Sequence, residues 1–130
     1  MSEQQPIPPP GPERDIALAP LMGWTMTMAA VSVGGHEYWR PTGKFDYRPS
    51  PPPWSTDDAA VIDVLRAMAA KRYGWQMERD NEDGLVTVRL WREFALRGSA
   101  NATSLADAIT AAAIGAIEAD ESQKEERNEQ

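Results

Sequence analysis

The chain has 130 residues, of which 42% are hydrophobic and 25% charged, with a formal net charge of −7 and no cysteine. That length and apolar content suit one domain with a buried core, and the missing cysteines exclude disulfides, thiolate metal centres and cysteine nucleophiles. No run approaches the roughly 18 apolar residues of a membrane helix, and no basic segment leading into an apolar one opens the chain, so a soluble, unexported, cytoplasmic protein is expected.

The negative charge sits mainly at the ends, with −2 over residues 1–15 and −4 over 118–130, which leaves −1 on residues 16–117. A balanced body lacks the clustered cations that phosphate binding needs, and it is equally unlike an acidic nucleic-acid mimic.

In chain order, residues 1–14 are rich in Pro, Gln, Glu and Ser and read as a disordered arm. A single domain is expected over 15–119. Asp15 to Met22 fits a short helix with Asp15 as N-cap and Gly23 as the left-handed stop, although Pro20 interrupts it. The run WTMTMAAVSV, then Gly34-Gly35, then HEYWRP predicts a hairpin with strands near 25–33 and 36–40, because glycine accepts positive φ at both turn positions. PTGKFDYRPSPPP, with five prolines, predicts an extended surface loop.

From Asp57 to Tyr73 the spacing of Val61, Val64, Leu65 and Met68 predicts a helix, ended by Gly74. Three strands follow. Trp75 and Met77 share one face of the first; Val86, Val88 and Leu90 alternate along the second; Phe94 and Leu96 point inward on the third, with Gly98 as a possible bulge. An alanine-rich helix over 104–119 closes the domain, capped by Thr103 or Ser104, with Leu105, Ile109, Ala112 and Ala116 as its stripe. Residues 120–130 read as an acidic polar tail. The resulting class is α+β, a small antiparallel sheet layered with helices in the order α-β-β-α-β-β-β-α.

Little of this sequence looks catalytic. Ser55, Thr56, Asp57 and Asp58 could offer oxygens to Mg²⁺ or supply a general base. They also fit a helix start, with Ser55 or Thr56 capping free N–H groups and the acids at the positive end of the dipole, and capping is the stronger reading. His36 is the only histidine, so every histidine-dependent triad would rest on one hairpin residue. Asp80 to Gly84 lacks the length and terminal glutamate of a calcium loop. No cofactor, metal site or catalytic residue is expected, and the chain reads as a non-enzyme.

The aromatic residues say more. Trp24 and Trp75 are expected to anchor the core, while Tyr38, Trp39, Arg40, Phe45, Tyr47, Arg48 and Trp54 flank the proline-rich loop. Such a set can form a protein interface, although pinning the loop to its own domain is the stronger reading. A rival use is stacking of a nucleotide-like small ligand on Trp39 and Trp54, with Arg40 or Arg48 on its phosphate. The helix, three strands, helix order of the second half is similar in outline to a double-stranded RNA-binding domain. The last helix there opens on lysines, and here it opens on Ala102-Thr103-Ser104-Leu105-Ala106-Asp107, which argues against nucleic acid.

Three segments together resemble the phage ABA-sandwich family of small phage- and prophage-encoded domains: Ile16-Ala17 with Leu21-Met22-Gly23-Trp24, Pro53-Trp54-Ser55-Thr56-Asp57 before Asp58-Ala59-Ala60, and Ala102 to Ile109. They span about residues 15–119. The resemblance implies a helix/sheet/helix layered fold and a phage accessory gene acting in the bacterial host cytoplasm, and it brings no catalytic residues. It leads to the expectation of a protein that binds a host protein, such as a component of a CRISPR-Cas-like defence system, with a homodimer as a further possibility.

Overall fold

The structure, a computed structural model, describes residues 7–28, 37–42, 48, 50–80 and 82–128. Eight elements follow in the expected α+β order: α1 (Pro12–Leu18), β1 (Trp24–Met28), β2 (Glu37–Pro41), α2 (Ile62–Ala70), β3 (Gly74–Arg79), β4 (Val86–Arg92), β5 (Ala95–Ala102) and α3 (Leu105–Asn128). β1 and β2 pair antiparallel from Trp24↔Pro41 to Met28↔Glu37. The Gly34-Gly35 connection and His36 lie outside the described residues. β3, β4 and β5 form a separate antiparallel meander in that order.

Alternation along β4 places Val86, Val88 and Leu90 on one face, all buried, with Thr87, Arg89 and Trp91 on the other. α3 covers the buried face. It packs on β4 and β5, and α1 and α2 pack in turn against α3. The small-residue content of α3 follows from this central position. Ala106, Ala108, Ile109, Ala112, Ala113 and Ala116 are all buried, because a helix with neighbours on several sides has no wide polar face to spare. The layers therefore run sheet, α3, then α1 and α2, so the helix in the resemblance's helix/sheet/helix order lies on one face of the sheet only. The outer face, with Gln76, Glu78, Ser99 and Asn101, is open to solvent.

Close approach is built into β5. An added Cβ on Gly98 would lie 2.3 Å from the Ala112 carbonyl oxygen and 2.8 Å from the Ala116 nitrogen. The bulge sits one residue earlier: pairing slips between Leu90↔Gly98 and Trp91↔Leu96, which leaves Arg97 as the extra residue.

Several element ends differ from the expected ones. The expected arm over 1–14 ends too late, since α1 starts at Pro12, whose fixed φ suits a first helical turn, and Arg14 and Asp15 are buried. α1 also stops earlier, at Leu18. A tight turn then leads to Gly23 at φ 74 and into β1. α2 begins at Ile62 rather than Asp57, and Arg72, not Gly74, is its left-handed stop: φ is 70 and Tyr73 N–H donates to the Met68 carbonyl across it. α3 runs to Asn128, well into the expected tail. Asp120 ties that extension down, accepting from Tyr73 Oη and pairing with Arg92 at 3.2 Å and Arg97 at 3.5 Å. No described helix is long and apolar enough to cross a membrane.

Candidate functional site

The Ser-Thr-Asp-Asp cluster is a junction among three helices. Ser55 is fully buried: its Oγ accepts from Gly11 N–H at 2.9 Å, and its own N–H donates to Asp15 Oδ1 at 2.9 Å. It therefore fastens the start of α1, and neither Ser55 nor Thr56 caps α2 as expected. Asp57 Oδ1 accepts from Ala59 N–H at 2.8 Å and shapes the turn that precedes α2. Asp58 reaches further along the chain, accepting from Ala106 N–H at 3.0 Å in the first turn of α3. At that same end Ser104 Oγ accepts from Asp107 N–H at 3.1 Å, and Thr103 is exposed. Arg14 completes the junction, donating to the Pro8 and Asp107 carbonyls and to Thr110 Oγ1 and pairing with the Asp107 carboxylate.

Both adjacent acids thus have structural work at separate helix starts. Asp58→Ala should lower stability by about 0.5–2 kcal/mol, as loss of an N-cap does. Denaturant melts will check this, and a change below about 0.3 kcal/mol would remove the capping role.

The proline-rich loop's aromatic set divides. Trp54 is only 1% exposed, so it is a core residue and not part of an exposed interaction surface. Trp24 stands edge-on to it, with centroids 6.1 Å apart. Arg48 lies over the Trp24 ring at 5.7 Å, and its backbone exchanges two 2.7 Å hydrogen bonds with Trp39. Trp39 is half-buried against the core, and Arg40 is half-buried in β2. The Tyr38 side chain and all of Phe45 and Tyr47 lie outside the described residues. The pinning role therefore holds for Trp39, Arg48 and Trp54. A ligand stacked on Trp54 would have to displace Trp24, which disfavours the nucleotide-stacking use.

The exposed aromatic surface is elsewhere, and it includes Trp75, Phe94 and Leu96, which the pattern had placed inward. Trp75 and Met77 are 43% and 41% exposed, and Trp91, Phe94 and Leu96 are exposed as well. Trp75 and Met77 share a face with Leu90 and Val88, as alternation requires. They are nevertheless uncovered, since β3 is the sheet edge and α3 lies over β4 and β5. Trp91 and Leu96 are cross-strand partners on the open face. Phe94 stands at the tip of the β4–β5 turn, fully exposed.

That turn is unusual. Its two loop residues, Glu93 and Phe94, have φ 53 and 64. A two-residue hairpin turn with positive φ at both positions ordinarily carries Asn-Gly or Asp-Gly. A side chain in this region costs of order 1–3 kcal/mol, and Phe94 recovers none of it by packing. Sequence reasoning missed the turn because Glu-Phe carries no turn signature.

Two other features carry less. A groove of about 360 Å³ between α1 and α3 is lined by Leu18, Leu21, Ile114 and Ile117 with the charged Lys71, Glu118 and Glu121 among them, and has no buried polar side chain among its residues. No group of three metal-ligating side chains occurs among the described residues. No protein-family model matches the chain, nor does any curated protein or solved structure.

Proposed function

We propose that the chain is a non-enzymatic phage accessory protein that binds a host protein in the bacterial cytoplasm and so inhibits a defence system, of which CRISPR-Cas is the model case. Its contact surface is the turn end of the three-stranded sheet, with Phe94 as the anchor and Trp91 and Leu96 beside it. One observation carries this reading: a fully exposed phenylalanine is held on a backbone conformation that disfavours it. An aromatic side chain kept at a cost to the fold, with nothing to pack on among the described residues, is what an interface hot spot looks like before its partner arrives. The resemblance to the phage ABA-sandwich family supports the phage setting.

The test is affinity capture with the complete chain from bacterial lysate, run beside Phe94→Gly and Trp91→Ala. Wild type should recover a protein in stoichiometric amount, and each substitution should reduce that recovery at least tenfold while the fold, followed by circular dichroism, stays intact. Undiminished recovery by Phe94→Gly would remove the proposed surface. The absence of any stoichiometric partner across host strains would remove the function.

A further inference from the structure

We infer that the chain forms a two-fold symmetric dimer in which β3 pairs antiparallel with β3 of a second copy, joining the two three-stranded sheets into one of six strands. β3 is the edge of its sheet, and all six of its residues are exposed. The peptide groups of an antiparallel strand alternate in direction. Asp80 N–H donates to the Leu85 carbonyl at 2.9 Å, so in the register Glu78↔Thr87, Gln76↔Arg89 the even-numbered residues bond to β4. Trp75, Met77 and Arg79 therefore direct their N–H and C=O groups outward, where no described strand meets them.

An edge of this kind is a template for another strand, and natural proteins blunt such edges with prolines, bulges or charged side chains, lysine above all. Gly74-Trp75-Gln76-Met77-Glu78-Arg79 has no proline or lysine and pairs with β4 without a slip, and its two charges, Glu78 and Arg79, both lie at the end of the strand.

The occupant follows from self-complementarity. A two-fold axis through Met77 sets Met77 against Met77 of the second copy, Trp75 against its Arg79, and Gln76 against its Glu78. On one face this gives two stacked Trp–Arg pairs around a methionine pair. On the other, an amide meets a carboxylate, as Gln76 Nε2 already meets Glu78 Oε1 within the chain at 3.3 Å. Each of the three outward residues then exchanges main-chain hydrogen bonds with its partner. Shifting the axis to Glu78 would oppose two carboxylates, and shifting it to Gln76 would push Arg79 beyond the partner strand's start. The exposed Trp75 and Met77 are the side chains this pairing covers, and α3 does not reach them from within the chain.

Sedimentation analysis of the complete chain over a wide concentration range tests this directly. Wild type should reach twice the chain mass. Met77→Glu and Met77→Lys, each placing like charges across the axis, should stay monomeric, and an equimolar mixture of the two should recover the dimer by pairing Glu with Lys. Phe94→Gly should leave the dimer unchanged, which separates this inference from the partner-binding reading. A monomeric wild type, a dimer that survives either Met77 substitution, or a mixture that remains monomeric would each overturn it. Recovery in the mixture also excludes misfolding as the cause of the single-variant result.

Discussion

Trp54→Ala should lower stability by about 3–5 kcal/mol, the range for deleting a large buried aromatic side chain. Trp54 is the largest fully buried side chain among the described residues. It holds the end of the proline-rich segment against Trp24, and through Trp24 it supports the β1–β2 pair. Its removal leaves a cavity at the meeting point of that pair with the helical core, bordered by Ser55 and hence by the start of α1. Trp54→Phe should cost far less. Its ring keeps most of the packing, and it removes the indole Nε1, which is buried without an acceptor among the described residues. Equilibrium denaturation of the two variants checks the pair. Equal, small losses would place Trp54 outside the core.

Gly98→Ala comes next, at about 3 kcal/mol, the upper part of the usual range for forcing extra volume into a packed site. The methyl group would sit against main-chain atoms of Ala112 and Ala116, which cannot swing aside as a side chain would. α3 must then lift from β5, and its buried Ile109 and the β4 side chains Val88 and Leu90 lose packing together. A drop in melting temperature of roughly 10 °C is expected for a domain of this size. A loss under 1 kcal/mol would mean that α3 has freedom to move on the sheet. The helical stop residue Arg72 offers a contrast, as its positive φ lies at an exposed position.

The class, the element order and the inward stripe of β4 were legible in the sequence, because each rests on a short-range pattern that tertiary contacts reinforce. Val86, Val88 and Leu90 alternate cleanly and are buried. The failures share one cause. Alternation tells which side chains share a face, and it is silent on whether that face is covered. Trp75 and Met77 lie on the expected side of the sheet, but they are at its edge, beyond α3. Phe94 and Leu96 failed differently: a two-residue turn without glycine shortened the loop and put Phe94 at the tip, with Leu96 beside Trp91 on the open face.

Of the candidate surface, Trp54 was misplaced. A proline-rich loop with tryptophans at both ends suggested exposure, whereas Trp54 is buried and the Trp39–Arg48 bridge ties that segment down. The Ser55 to Asp58 cluster serves helix starts as expected in kind, but Ser55 and Asp58 serve α1 and α3 instead of α2. Asp58 serves α3, some 48 positions away in sequence, and no local spacing encodes that.

The central claim is that Phe94 is kept for contact with another protein and not for folding, and the stability of Phe94→Gly alone tests it most directly. Glycine relieves the positive-φ strain, gives up no packing, and loses only part of the gain through its larger unfolded-state entropy. The variant should therefore be more stable than wild type by about 1 kcal/mol, seen as a melting temperature roughly 4 °C higher. A variant less stable than wild type would mean that the phenylalanine ring packs within its own domain, and the claim would fail.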